Sequence, residues 1–182
     1  MEMKRFITPE YVMPADIKRV RKQLGLTQKD FAKLLNCAKS TVERWEGGNE
    51  PVSGPVTLLL HMLERHPEYV NDVLLPEKAY SLRLWYMHEQ TVCTIIDVDE
   101  IRRAVRIVNY AQHPMFCAFG VEENPAYDRY MEFLESRCFP RSRDKMKLAL
   151  KELDIPFYDP FLIIEKTEGR MAEDHFWIRI ER

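Results

Sequence analysis

At 182 residues the chain is long enough for two domains, one of about 75 and one of about 105 residues, each able to bury its own core. Its 27 Lys and Arg against 29 Asp and Glu leave a net charge of −2, which neither requires nor excludes nucleic acid. No stretch approaches membrane-spanning length and no apolar leader opens the chain, so a cytoplasmic protein with no membrane contact is expected. The four cysteines (Cys37, Cys93, Cys117 and Cys138) form no C-x-x-C pair, and the five histidines are scattered; reduced thiols, no metal and no cofactor are expected.

Taken in chain order, residues 1–14 are a short lead-in with Pro9 and Pro14, whose Phe6, Ile7, Tyr11 and Val12 should pack against the body. Helices are expected at about 15–24, 28–35, 39–46, 55–65 and 67–74. Residues 24–54, LGLTQKDFAKLLNCAKSTVERWEGGNEPVSG, carry the strongest signal, a helix-turn-helix. Leu24, Leu26, Phe31 and Leu34/Leu35 form its first apolar set; Val42 and Trp45, three apart on one helical face, form the second. The polar turn Asn36-Cys37-Ala38 joins them. Thr27 is placed to cap the helix beginning at Gln28, and Gly25 suits a left-handed end to the helix before it.

The second helix of the pair turns Lys39, Ser40, Thr41 and Arg44 outward. That set suits a recognition helix, because arginine bonds guanine O6 and N7 in bidentate fashion and small hydroxyls fit against base edges. Gln28 is placed either to hold a phosphate or to brace the recognition helix. Lys22, Lys29 and Lys33 are the candidate phosphate contacts.

The run LGLTQKDFAKLLNCAKSTVERWEGGNEPVSGPVTLLLHMLERHPEYV resembles the Cro/repressor-type (XRE-like) DNA-binding domain of the HigA and MqsA antitoxins, over about residues 15–75. The likeness includes Trp45-Glu46-Gly47, the Pro-Val-Ser-Gly-Pro approach to the next helix, and the leucine-rich helix ending at His66-Pro67-Glu68. It implies base contacts from the early recognition-helix positions and from an arginine in its last turn, which fall on Ser40 and Arg44. Ala38 departs from the Ser or Thr cap that many relatives place there.

Charge distribution agrees with a nucleic-acid partner. Between Ala15 and Trp45 stand eight basic residues (Lys18, Arg19, Arg21, Lys22, Lys29, Lys33, Lys39, Arg44) against three acidic ones (Asp16, Asp30, Glu43). That is +5 on the helices expected to face phosphate, leaving −7 on the rest of the chain. Binding through so compact a patch should weaken with salt. The next helix, Pro55–Leu63, has apolar residues around more than one face, enough for a dimer interface or a contact with the second domain.

Leu75 to Ala79 reads as a short linker to a domain spanning 80–182. There the periodicity turns to β. Ser81–Met87 and Thr91–Asp97 predict a hairpin with the three-residue loop His88-Glu89-Gln90, and the alternation in Arg103–Tyr110 favours a third strand over a helix. Helices are expected at about 125–136, capped by Asn124, at about 142–153, and from Asp159-Pro160 through Lys166. A strand over His175–Ile180 closes the chain. The fold class is therefore α+β, a five-helix helix-turn-helix domain followed by an α+β domain with a small antiparallel sheet.

No Gly-rich phosphate loop, G-x-S-x-G, H-E-x-x-H or H-R-D occurs in the second domain, so no enzymatic activity is expected. Tyr86–Glu89, the strand Ile95–Val98, Arg137-Cys-Phe-Pro-Arg-Ser-Arg143 and Gly169-Arg-Met-Ala-Glu-Asp-His-Phe-Trp-Ile178 together resemble the short module that precedes HipA-type kinase domains in some Firmicutes. No kinase follows in this sequence, so the resemblance implies a partner-binding or sensing piece of a toxin–antitoxin or mobile-element system. Arg141 and Arg143, at a turn before a helix, are a candidate anion site, with an alternative in which they are locked to Asp144, Glu173 or Asp174. The aromatic set Trp85, Tyr86, Phe116, Phe119, Tyr127, Tyr130, Phe133 and Trp177 reads as core.

The sequence thus predicts a homodimeric regulator that binds a double-stranded DNA operator and represses its own operon. The competing class is a protein-interaction module in which residues 80–182 capture a toxin or kinase-like protein.

Overall fold

A computed structural model describes residues 6–142 and 144–182. The chain divides into two compact units, one ending at Leu75 and the other beginning at Pro76. The first is helical and the second combines helices with an antiparallel sheet, an α+β protein as expected.

In the first unit, helix α1 (Pro14–Gln23) has proline at its first position, where a missing N–H costs nothing. It ends at Gly25, whose φ of +69° lets its N–H reach Lys22 O at 3.0 Å while Leu26 N–H reaches Arg21 O at 3.2 Å. This double closure is the reason for a glycine there. Helix α2 (Gln28–Leu34) starts at Thr27, whose hydroxyl accepts the Asp30 N–H at 3.2 Å. Helix α3 (Lys39–Gly47) starts at Ala38 without a side-chain cap. Helices α4 (Pro55–Arg65) and α5 (Tyr69–Val73) complete the five. Ile17, Val20, Phe31, Ala32, Val42, Leu60 and Leu63 form the core, with Trp45 packed at its margin.

The lead-in is tied down by a device the sequence does not advertise. Strands β1 (Tyr11–Val12) and β2 (Val52–Ser53) pair antiparallel, Tyr11 opposite Ser53. Two-residue strands are too short to leave an alternation. Val12 packs on the core, but Phe6, Ile7 and Tyr11 stay exposed, against expectation.

The second unit is built on a sheet of order β5-β4-β3-β6, all neighbours antiparallel. Its strands are β3 (Leu82–His88), β4 (Thr91–Asp99), β5 (Ala104–Asn109) and β6 (Phe176–Glu181). The favoured third strand is present. The hairpin turn has two residues rather than three, since His88 pairs with Thr91. Glu89 takes the left-handed conformation (φ +51°) that would suit glycine. Strand β6 holds it there: Glu89 N–H donates to His175 O at 3.1 Å, and the Trp177 indole N–H donates to Glu89 O at 2.7 Å.

Helices α6 (Tyr127–Ser136), α7 (Met146–Glu152) and α8 (Pro160–Thr167) complete this unit, with a 3-10 turn at Pro114–Phe116. Asp159 caps α8 through Leu162 N–H at 3.0 Å, as its spacing predicts. Asn124 does not cap α6; that position falls to Ala126, two residues on. Helix α7 begins at Met146 rather than near 142, after Lys145 at φ +62°. Leu82, Leu84, Tyr86, Ile96, Val98 and Ile178 from one sheet face join Phe133 and Leu134 of α6 and Ile163 and Ile164 of α8 in the core. Each such side chain, fully buried, contributes about 1.5–3 kcal/mol. Most of the aromatic set lies in or against this core, but Trp85 and Trp177 carry their indoles to polar partners.

Candidate nucleic-acid interface

The geometry of α3 follows from where its apolar residues are. Val42 is fully buried and Trp45 half-buried, which forces Lys39, Ser40 and Arg44 outward and leaves Thr41 half-exposed. Ser40 and Arg44 are one turn apart and lie on one face. Lys39 is paired with Glu43 at 2.7 Å, both well exposed. Such a surface pair is weak and can exchange for a phosphate. Lys22, Lys29 and Lys33 are exposed; among the described residues none of them, nor Arg44, has an ion-pair partner. Lys29 and Lys33 are a turn apart on α2.

What orients α3 is an ionic knot around Glu46. Arg21 counts among the basic residues expected to face phosphate, but it points inward. Its Nε and Nη2 donate to Glu46 Oε1 and Oε2 at 2.6 and 2.9 Å, and its Nη1 donates to Leu26 O at 2.8 Å. Gln28 Nε2 donates to the same Glu46 carboxylate at 2.9 Å. Of the two roles open to Gln28, its amide is therefore engaged in bracing. The side chains of Arg21 and Glu46 are only 10 % and 4 % exposed. Hydrogen bonds from Arg21 hold the Glu46 carboxyl below its usual range, against the opposing effect of burial. One network thus fastens α1, the start of α2 and the end of α3. Arg19, another member of the basic set, is paired with Glu64 at 2.6 Å and Asp16 at 3.2 Å. The unpaired basic patch is smaller than the charge count implied.

A second feature of this unit is a groove of about 780 Å³ lined by Leu59 and Met62 of α4, Tyr69 and Val73 of α5, and Leu34 of α2. Leu58, Leu59, Met62, Tyr69, Val73, Leu74 and Leu75 are all exposed.

A profile of the antitoxin component of the bacterial toxin–antitoxin system MqsA matches residues 1–74. The N-terminal unit is thus similar to the HigA/MqsA-type antitoxin domain. Antitoxin HigA-2 of Vibrio cholerae serotype O1 is 32% identical over 62 residues, which cover 34% of this chain and 60% of that protein. Antitoxin MqsA of Escherichia coli K12 is 34% identical over 67 residues, 37% of this chain and 51% of that protein. The chain therefore spans little more than half the length of these curated relatives, and the family match stops where the second unit starts.

Beyond this antitoxin-type domain, the two halves of the HipA-module resemblance meet in space. The guanidinium of Arg137 donates to both oxygens of Asp174 at 2.6 and 3.0 Å, to Gly169 O at 3.0 Å and to Phe176 O at 3.0 Å. Gly169 has φ +60°, and a Cβ there would meet Arg137 Cβ and Ile178 Cδ1 at 3.3 Å. Asp174 also accepts the Phe176 N–H, and Ile178 N–H donates to Glu168 O at 2.7 Å. These bonds occupy backbone groups on the outer edge of β6 and close part of it against further strands. The motif residues here serve the fold.

The candidate anion site is not assembled by the described residues. Arg141 Nε is bonded to Glu135 at 2.6 Å, and its guanidinium lies 4.5 Å from the centre of the Tyr158 ring. Its partner is none of the three acids the sequence offered, because Glu135 lies on the preceding helix. Arg143 lies outside the described residues. Among the described residues no three metal-ligating side chains cluster, and no helix is long and apolar enough to cross a membrane.

Proposed function

We propose that the protein is an antitoxin-like, sequence-specific DNA-binding regulator that represses its own operon. The observation that carries this reading is the outward row Ser40–Arg44 on a helix anchored by Val42 and the Arg21–Glu46–Gln28 knot, within an antitoxin-type domain. Ser40, Thr41 and Arg44 read base edges, with Lys39 free to join them once released from Glu43; Lys22, Lys29 and Lys33 hold phosphates. Arg44→Ala should cost about 1–3 kcal/mol of operator affinity and relax specificity at one base pair. Titrating the variant against the operator and its single-base changes checks this. An unchanged affinity and salt slope would remove α3 from the interface.

One recognition helix reads too few base pairs, so the protein acts as a homodimer on half-sites a helical turn apart. The groove between α2, α4 and α5, with Leu59 and Met62 open to solvent, supports this unit as the dimer surface. Leu59→Asp should shift sedimentation from dimer to monomer and reduce operator affinity at least tenfold, about 1.4 kcal/mol. A variant that sediments as the wild-type dimer would place the interface elsewhere.

The C-terminal unit, which lies beyond the family match, is the part that engages a protein partner in the cytoplasm, a toxin or a kinase-like protein.

A further inference from the structure

The sheet of the second unit ends differently on its two sides. Tyr110 N–H donates to Cys93 O at 2.9 Å, one step beyond the Thr94–Asn109 pair, and this fixes the parity of the β4–β5 ladder. Ala104, Arg106 and Val108 therefore turn their peptide groups toward β4, while Val105, Ile107 and Asn109 turn theirs away from the sheet. On the far side, the outward Ile178 N–H of β6 is taken by Glu168 O at 2.7 Å. On β5 no described group takes the outward N–H or C=O of Val105, Ile107 or Asn109.

Open edges are usually blunted by proline, by a charge aimed into the sheet or by a covering element. Strand β5 has no proline, and its one charge, Arg106, is exposed and makes no ion pair among the described residues. Val105 and Ile107 pack against the core yet stay half-buried, because no strand continues the sheet past them. The strand's own sequence completes this edge. Two copies paired antiparallel about Ile107 set Ile107 across from Ile107, Val105 across from Asn109, and Arg106 of one copy across from Val108 of the other. Every outward N–H then meets an outward C=O, and the β-branched row of the core face runs on unbroken. Sliding the strands two residues one way opposes Arg106 to Arg106, a like-charge pair. Sliding them the other way pairs Val105 with Ala111, which lies beyond the strand.

We propose that β5 is a self-pairing edge, through which the second units of two copies of this chain join in one continuous antiparallel sheet about Ile107. A second copy is the occupant because the register that satisfies the edge is symmetric and staggers Arg106 from its own image. The pairing gives the protein a self-contact besides the one on the first unit, and it needs neither that unit's groove nor DNA. A strand this short buries less surface than a stable dimer needs on its own, so the contact is transient in dilute solution and is read by trapping.

Disulfide trapping in the full chain tests this. Arg106 and Val108 of two copies form a non-hydrogen-bonded pair, with Cα atoms about 4.5 Å apart, within disulfide reach. Arg106→Cys and Val108→Cys proteins are oxidised with diamide, separately and mixed, and peptide mapping separates the 106–108 cross-link from any through the partly buried Cys37 or Cys117. The mixture should form the 106–108 cross-link at least about tenfold faster than either protein alone forms 106–106 or 108–108. The cross-link should also form with Leu59→Asp added, so its failure is separate from a failure of the groove. In that background, sedimentation equilibrium of Val108→Glu and Val108→Lys reads the register. Glutamate opposite Arg106 should strengthen association and lysine weaken it, leaving the two about tenfold or more apart. Damage to the monomer would move both the same way, so equal effects would overturn the proposal. No enrichment of the 106–108 cross-link in the mixture would also overturn it, leaving the edge to a strand of another protein. A dominant 106–106 cross-link would overturn the register.

Discussion

Replacing Glu46 with alanine should unfold or severely loosen the N-terminal unit. The substitution leaves the Arg21 guanidinium without its bidentate partner at a position only 10 % exposed, and strips Gln28 of its acceptor. Breaking a buried pair from one side costs about 3–5 kcal/mol, because the remaining charge has neither partner nor water. That is a large part of the stability of a unit this size. Denaturant unfolding followed by tryptophan fluorescence, with Trp85 and Trp177 replaced by phenylalanine so that Trp45 alone reports, reads the loss, and a midpoint within error of the same background with Glu46 intact would show the knot to be dispensable. Glu46→Gln, which keeps the shape and one acceptor, should fall between.

The same carboxylate makes the unit acid-sensitive, and the sign follows from its lowered pKa. Hydrogen bonds from Arg21 hold the folded-state value below the ordinary 4.5. The stabilisation is therefore fully present above about pH 4.5 and is lost as pH falls through the folded-state value. Part of the acid-induced loss of Trp45 packing should disappear in Glu46→Gln, because that variant has no carboxylate to protonate.

Arg137→Ala should have the corresponding effect in the second unit. It removes four hydrogen bonds at once, freeing Asp174, Gly169 O and Phe176 O. Arg137 is 8 % exposed but Asp174 is 31 % exposed, so the orphaned carboxylate can still reach water. We expect a loss of about 3 kcal/mol, at the lower end for a buried pair. Hydrogen exchange should quicken first at Ile178, whose N–H depends on the Glu168 turn beside Gly169. Protection at Ile178 that survives the substitution would show that β6 is held by β3 alone.

Much of the architecture can be read from local pattern. Thr27, Gly25, Asp159 and the apolar spacing of Phe31, Val42 and Trp45 act within one or two helical turns, and each does what its position predicts. The strand at Ala104–Asn109 is legible because its side chains alternate. The start of α6 falls two residues beyond the Asn124-Pro125 pair that marked it, and α7 starts at Met146 rather than near 142, because a cap signal alone does not fix where a helix first packs.

The candidate recognition face is legible for the same reason, since burying Val42 dictates which residues of a single helix turn outward. Charge is different. A count of basic residues cannot separate Arg21, spent inside on Glu46, from Lys22 beside it on the surface, because the partner stands 25 positions away. Likewise Arg141 found Glu135 rather than the nearer Asp144. Arg137 and Asp174, from the two separated stretches of the module resemblance, meet across 37 positions, and the stretch from Leu75 to Ala79 that reads as a linker is bonded at Pro76 and Ala79 to two buried side chains beyond it.

The sequence by itself determined that an amphipathic helix pair with an outward Ser40–Arg44 row precedes a β-rich unit, because helical and strand periodicities are local properties of the chain. Only the tertiary structure decided which charged groups face water and which hold the fold together. An ion pair is set by where two distant segments meet, and burial, which no short window reports, makes that pair matter.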